Sequence, residues 1–469
     1  MMEALQQRKY DVANVSPEIF RACDIRGVVN ESLTPEIAFL LGRGFGATAI
    51  RNNQSTVIVG RDGRHSGAML SQHLCEGLIE SGCNVIDLGP VPTPVVYFAT
   101  NALQTGTGIM ITGSHNPPNY NGFKMMLAGD TLAEEQIQAL YHCIKTEDFT
   151  SGDGTLTYVS IVDRYIEHIK QDVHLARKLK IVVDCGSGVV GVLAEKLFQT
   201  LGCEVVPLFC EVDGDFPFHH PDPGQPKNLQ DLIEAVKHEE ADLGVAFDGD
   251  GDRLGLVTNE GEIIWPDRLM MLFADDLLKR NPGSTIIYDV KCSKNLHARI
   301  EQSGGEPVMY KTGHALIKRK MRETNAQLAG EMSGHFFFKE RWYGFDDASY
   351  AAARCLEIVA QESKTLAEIF RAMPNSVSTP EINIHISEDK KFQFIETLKS
   401  KHGFKDAKII TVDGLRVEFK DGWGLVRASN TTPCLVLRFE ADDEAALSQI
   451  QEKFKKVLLA IAPELEVPF

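Results

Sequence analysis

Three aspartates stand at alternating positions in FDGDGDR, residues 247–253: Asp248, Asp250 and Asp252, separated by single glycines. The glycines let the backbone curl, so three carboxylates can aim at one point, where they repel one another unless a cation lies between them. Hard oxygen ligands clustered in this way suit Mg²⁺, which takes near-octahedral oxygen geometry at about 2.0–2.1 Å. Calcium in an EF-hand is excluded, because loop positions six and twelve would be Arg253 and Asn259 instead of Gly and Glu.

A second loop, TGSHNPPNYNGFK at 112–124, places Ser114 directly after the apolar run GIMI. His115, Asn116 and Pro117 follow it, so it is not the G-x-S-x-G elbow of serine hydrolases. A serine beside a Mg²⁺ site is better suited to carrying a phosphoryl group. Lys124 and, farther away, Arg26 of FRACDIRG could steady developing charge or move protons. A third loop, GEMSGH at 330–335, offers a carboxylate, a hydroxyl and an imidazole. If that loop is extended, Glu331 and Ser333 share one face and could grip neighbouring sugar hydroxyls. RASNTTP at 427–433 joins a guanidinium to hydroxyls and backbone amides, a combination that cradles phosphate. One motif misleads: GSGVVG at 186–191 fits the dinucleotide fingerprint, but Asp184 just before it would oppose a pyrophosphate. The long insertion CEVDGDFPFHHPDPGQPKNL that follows is also out of keeping with a compact dinucleotide fold.

The elements that must position these loops repeat. TVIVGRDGRHSGAMLSQHLCEGLIESGCNVIDLG from Thr56, KIVVDCGSGVVGVLAEKLFQTLGCEVVPLF from Lys180 and STIIYDVKCSKNLHARIEQSGGEPVMYKTG from Ser284 share one layout. Each reads as strand, turn, amphipathic helix, a glycine stop (Gly82, Gly202, and Gly304 or Gly305) and a second strand, as a βαβ crossover requires. Each then reaches a further apolar strand ending in a chemical loop. The pattern predicts three related mixed α/β domains with ligand loops at the carboxyl ends of their strands, around a central cleft. From about Pro374 short alternating strands with helices on either side predict a smaller α+β domain. The boundaries expected are 1–157, 158–259, 260–373 and 374–469.

A length of 469 residues needs several domains, and 43% hydrophobic with 24% charged residues is a well-packed globular composition. The net charge of −17 disfavours a nucleic-acid surface, so an anionic ligand must be held by local Arg and Lys. The N-terminus lacks an apolar h-region and no segment offers the roughly 18 apolar residues of a membrane span, which points to the cytoplasm. Ten cysteines are scattered without a C-x-x-C pair, as expected of reduced, mostly buried thiols.

Taken together, FRACDIRG, GRDGR, TGSHNPPNYNGFK, HHPDP, DGDGDR, GEMSGH and RASNTTP resemble the α-D-phosphohexomutase family in order and spacing, most closely its bacterial phosphomannomutase/phosphoglucomutase branch. The resemblance covers essentially the whole chain. It implies that Ser114 is phosphorylated at rest and shares one Mg²⁺ with Asp248, Asp250 and Asp252, with Arg253 assisting. Glu331 and Ser333 would contact sugar hydroxyls, His314 and Lys291 would line the sugar site, and Arg427, Ser429, Asn430 and Thr431 would bind the phosphate not being transferred. Lys124 and His335 are the candidates for proton transfer, with Arg26 and His115 nearby; the single base is left open. The implied reaction moves phosphate between the 1- and 6-positions of mannose and glucose phosphates, through a hexose 1,6-bisphosphate that also acts as activator. A phosphoglucosamine mutase is the near alternative, and a serine- and metal-dependent sugar phosphatase the distant one. Met332 and Gly113 favour the glucose/mannose branch, whereas Cys23 stands where that branch more often has tyrosine. The expected partners are small hexose phosphates, with neither nucleic acid nor membrane, and the expected state is a monomer or weak dimer.

Overall fold

The computed structural model describes residues 10–429 and 432–469. The chain forms two compact units: Met1–Ile264 with Ser333–Ala367, and Trp265–Met332 with Glu368–Phe469.

The repeat read from the sequence is present as one strand order used three times. In the first sheet Thr56–Arg61 lies between Asn84–Pro90 and Gly108–Ile111, parallel to both. In the second, Lys180–Asp184 lies between Glu204–Leu208 and Leu243–Phe247, again parallel to both. In the second unit Thr285–Asp289 takes the same place between Glu306–Tyr310 and Leu328–Gly330. Apolar β-branched runs such as Val57–Val59 and Ile181–Val183 are fully buried, as strands covered on both faces must be. The connecting helices Gly67–Glu80 and Lys294–Gln302 stop where expected, with Gly82 and Gly304 in left-handed backbone just beyond them. The crossover of the second domain is less regular, a 3₁₀ turn Val189–Val192 followed by the short helix Ala194–Thr200.

The chemical loops Ser114, Asp248 and Glu331 all leave the third strand of this unit, at its carboxyl end. In the first two domains the chain then returns antiparallel beside that strand, as Tyr120–Leu127 and Leu254–Thr258. Lys124 is therefore carried on a strand and held at a fixed depth. In the first domain the helices Pro35–Arg51 and Gly67–Glu80 cross at Gly42 and Gly77, where a Cβ on either would collide with the other helix's backbone.

The C-terminal part is an antiparallel sheet built on Leu415–Glu418, Gly422–Ala428 and Cys434–Ala441, covered by Glu388–Lys401 and Glu444–Ile461. Its core gathers Leu415, Val426, Leu437, Phe439 and Phe454. No helix among the described residues is long and apolar enough to cross a membrane.

Candidate active site

Ser114 sits on a backbone that few side chains adopt, at φ +49°, and is 2% exposed. What holds it there is a splint from GRDGR, a motif whose charges the sequence leaves without a role. Asp62 accepts from the Thr112 hydroxyl at 2.8 Å and from the Gly113 amide at 3.0 Å, and Thr112 Oγ1 in turn accepts the Ser114 amide at 2.7 Å. The Arg64 guanidinium donates to the carbonyls of Ser114, Asn116, Pro117 and Tyr120 at 2.5–3.1 Å, and is itself paired with Asp62. Burial raises the Asp62 pKa and lowers that of Arg64, each against the pull of the other's charge. Gly113 is required by this packing, since a Cβ there would run into the Arg64 guanidinium and lie 2.8 Å from the Tyr120 carbonyl. Arg26 joins the same loop, donating to the Gly113 carbonyl at 3.1 Å, to the Asn116 side chain and to Asp24.

The Ser114 hydroxyl points at the aspartate loop and donates to Asp248 Oδ2 at 2.9 Å. Asp248 Oδ1 accepts the backbone amides of Gly251, Asp252 and Arg253, each at 3.1 Å, so the glycine-rich turn folds around its first carboxylate. Carboxylate oxygens of Asp248, Asp250 and Asp252 lie within 4.8 Å of one another, and all three side chains are 0% exposed. Lys124 Nζ donates to Asp250 at 2.7 Å and also to Asp252, and the Thr93 hydroxyl donates to Asp250. Even so, Asp250 Oδ1 and Asp252 Oδ1 are buried without a hydrogen-bond partner among the described residues. Burial and the two neighbouring aspartates push the Asp248 pKa well above the ordinary carboxylate range. For Asp250 burial acts the same way, but the Lys124 ammonium overrides it and the net shift is downward. Burial alone would lower the Lys124 pKa; the surrounding carboxylates outweigh it and keep the ammonium charged. Orphaned carboxylate oxygens in a dry, over-negative nest are what a divalent cation would satisfy, so the residues present fit a metal ion.

Beside this nest His115 Nδ1 lies 3.2 Å from Ser114 Oγ. Burial, then the charges of Arg253 and Arg26, hold the imidazole well below its usual pKa, so it is neutral. Arg253 Nε donates to His335 Nε2 at 3.0 Å. That nitrogen therefore carries the lone pair and the ring proton belongs on Nδ1, which lies 3.2 Å from Asp346 Oδ2 and 3.6 Å from Asp252 Oδ1 without hydrogen-bond alignment to either, so these carboxylates act on it through charge. Neither Asp346 nor Thr93 has a motif-like context in the sequence; a buried aspartate following an aromatic run, in WYGFDD at 342–347, gives no warning of a partner eleven residues back.

The second unit holds a cluster of its own. Lys291 Nζ is 2.6 Å from Glu381 and 3.9 Å from Asp289. Thr312 links two carboxylates, its hydroxyl donating to Asp289 and its amide to Asp413, and Asp413 also accepts from Arg427 Nε at 2.9 Å. Glu331 accepts the Gly313 amide at 2.6 Å, immediately before His314 opens its helix. The Ser429 hydroxyl is 2.7 Å from that of Thr432, while Asn430 and Thr431 lie outside the described residues. The expectation that Glu331 and Ser333 share a face of an extended segment is corrected: Met332 and Ser333 form a turn, because Gly334 takes φ +98° and reverses the chain. The dinucleotide reading of GSGVVG is likewise closed, since Gly188 and Gly191 are packed against the backbone of Gly249 and Cys210, leaving no room for a pyrophosphate.

Comparison with known proteins agrees with this arrangement. Models of phosphoglucomutase/phosphomannomutase α/β/α domains I, II and III match residues 17–151, 163–261 and 265–377, and that of the C-terminal domain matches 381–457. A phosphomannomutase/phosphoglucomutase of Pseudomonas syringae pv. tomato is 58% identical, covering 98% of this chain and 99% of its own. A phosphoglucomutase of Neisseria meningitidis serogroup A is 53% identical over 95% of this chain and 98% of its own. Among solved structures, a phosphoglucomutase/phosphomannomutase family protein from Burkholderia thailandensis superposes with a TM-score of 0.93 at 50% identity, covering 97% of this chain and all of that one. With four domain models in order and relatives of this identity along nearly its full length, the chain belongs to the phosphoglucomutase/phosphomannomutase family of enzymes, the α-D-phosphohexomutases.

Proposed function

We propose that this enzyme moves a phosphoryl group reversibly between the 1- and 6-positions of mannose and glucose phosphates, through a phosphoserine at Ser114 and a hexose 1,6-bisphosphate. The observation that carries the reading is the contact of the Ser114 hydroxyl with Asp248 at the rim of a buried three-carboxylate nest. Asp248, Asp250, Asp252 and Ser114 Oγ would hold one Mg²⁺, which supplies charge neutralisation at the phosphoryl oxygens when bound.

The chain's own residues account for the remainder. Asp62 and Arg64 fix the serine so that the sugar, and not the loop, must reorient between half-reactions. His335 Nε2 carries a lone pair and accepts the proton of the attacking sugar hydroxyl, with the Asp346 charge beside Nδ1. Lys124 and Arg26 stay cationic and steady charge on the transferring group, and neutral His115 accepts or donates at Ser114 Oγ. Arg253 turns from His335 toward the phosphoryl oxygens. Glu331, Ser333, Lys291 and His314 recognise the sugar, and Arg427 and Ser429, with Asn430 and Thr431 on sequence grounds, bind the second phosphate. The four domains are assigned to 1–157, 158–259, 260–373 and 374–469, and the enzyme to the cytoplasm as a monomer or weak dimer. Glucosamine phosphate is disfavoured, because relatives 53–58% identical to this chain are named phosphomannomutase/phosphoglucomutase or phosphoglucomutase.

Turnover of mannose 1-phosphate, glucose 1-phosphate and glucosamine 1-phosphate with catalytic bisphosphate present tests this. Conversion of the first two to 6-phosphates without net release of inorganic phosphate is expected. Steady phosphate release would make the protein a phosphatase, and preference for the third sugar would make it a phosphoglucosamine mutase.

A further inference from the structure

Two of the ten cysteines face each other. Cys185 follows the strand Lys180–Asp184 and Cys210 follows its parallel neighbour Glu204–Leu208, and their sulfurs are 3.3 Å apart. Cys185 is fully buried, whereas Cys210 is partly exposed, so a small oxidant can reach one thiol of the pair while the other waits behind it. The strand ends are already locked in register, with the Cys185 amide donating to the Leu208 carbonyl at 3.1 Å and the Ser187 amide to Phe209 at 2.8 Å. Closing the gap to a disulfide of about 2.05 Å needs about 1 Å of sulfur movement.

We propose that Cys185 and Cys210 form a reversible dithiol/disulfide site, oxidised by hydroperoxides, that is coupled through the 185–189 turn to the aspartate loop. Cys210 thiolate attacks one oxygen of the hydroperoxide; the O–O bond breaks, leaving a sulfenic acid on Cys210 and an alcohol, or water from hydrogen peroxide. The Cys185 sulfur then attacks the Cys210 sulfur. The S–S bond forms, the S–O bond breaks, and hydroxide leaves with the thiol proton as water. The net change is two thiols and one hydroperoxide to one disulfide, one alcohol and one water.

The geometry favours this order, because Cys210 is the partly exposed member of the pair and its thiol donates to the buried Cys185 sulfur at 3.3 Å. Burial pushes four other thiols up, Cys75, Cys203 and Cys355 to about 12 and Cys83 to about 11, so they resist attack. Coupling follows from the turn. The Val189 amide donates to the Gly249 carbonyl at 3.1 Å, and a Cβ on Gly188 would stand 3.0–3.1 Å from Gly249. Gly249 lies between Asp248 and Asp250, so a shift of the turn is passed to the carboxylate nest.

The test is peptide mapping of the folded full-length protein after brief treatment with hydrogen peroxide and alkylation without reductant. The bond is read by mass and does not depend on the reading of the reaction. A linked peptide pair containing Cys185 and Cys210, lost with dithiothreitol and absent in Cys210→Ser, is expected, with turnover of glucose 1-phosphate falling severalfold and returning on reduction. Alkylated Cys210 after treatment that oxidises Cys23 or Cys434, the other two partly exposed thiols, would overturn the site. A disulfide that leaves turnover unchanged would overturn its coupling to the aspartate loop.

Discussion

Arg64 donates to the carbonyl oxygen of Ser114 at 2.8 Å from a fully buried side chain that spends its other donors on Asp62, Asn116, Pro117 and Tyr120. One side chain thus sets the path of the whole serine loop from inside, and does so without touching the serine hydroxyl.

Arg64→Lys keeps the charge but loses the planar fork that reaches several carbonyls at once. The loop should relax by a fraction of an ångström, enough to misplace Ser114 Oγ for in-line attack. The expected outcome is a fall in kcat of about 100-fold with KM for the hexose phosphate within about threefold, since positioning and not binding is lost. Steady-state kinetics alongside a thermal unfolding curve check it. A parallel rise in KM would mean the sugar site had been disturbed instead.

Lys124 and the aspartate nest make a second prediction. Without a cation, Lys124 is the ammonium that neutralises Asp250 and Asp252. Removing one partner of a buried ion pair costs about 3–5 kcal/mol. Lys124→Met should therefore unfold several degrees lower than the wild type in chelator. Added Mg²⁺ should raise its melting temperature by more than it raises that of the wild type, because the ion then replaces the missing charge. Calorimetry of both proteins with chelator and with Mg²⁺ decides it, and equal shifts would show that the three carboxylates do not hold the ion.

Much of this site could be read from residue order. The alternation in DGDGDR and the abrupt polar turn after GIMI each follow a third parallel strand, and a βαβ unit repeated with the same strand order places both at carboxyl ends. What escaped was the support. Asp62 and Arg64 look like surface charges in a turn, because nothing local shows that four carbonyls will be presented to the guanidinium from 50 residues away. GEMSGH does not stay extended beyond the strand end at Gly330, because Gly334 takes a positive φ that turns the chain, which its residue types alone do not reveal. Tertiary partners of a buried charge lie beyond any local pattern.

Asp346 Oδ2 stands 3.2 Å from His335 Nδ1, close enough for its charge to favour a proton there although the two are not aligned for a hydrogen bond. Arg253 Nε–H faces Nε2, so the ring is serviceable as a base only while Nδ1 is protonated. Asp346→Asn can present its amide N–H to Nδ1 and so favour the opposite tautomer, with two N–H groups then opposed at Nε2. A loss in kcat of about 10- to 100-fold is expected, with unchanged melting temperature and an altered pH–rate profile. His335→Gln should lose as much, and the double variant no more than either alone, because the two act as one unit. Additive losses would separate them.

The neighbouring residue Asp347 gives a pH dependence of stability that is distinct from catalysis. It caps the helix Ala348–Gln361, accepting the Tyr350 amide, and also accepts the Tyr165 hydroxyl at 2.8–2.9 Å. Burial raises its pKa to about 7, with Asp346 adding to the rise and these hydrogen bonds opposing it. The folded state therefore holds this proton more tightly than the unfolded chain, whose aspartate titrates near 4. The stabilisation is fully present below about pH 4 and is lost as pH rises through about 7. A shift of about three units corresponds to about 4 kcal/mol at most, at about 1.4 kcal/mol per unit. Asp347→Asn keeps an N-cap acceptor and cannot ionise, so it should gain stability relative to the wild type as pH rises from 5 to 8. Denaturant unfolding of both proteins across that range measures the difference. A constant gap would show that burial does not raise the Asp347 pKa, its hydrogen bonds matching or outweighing it.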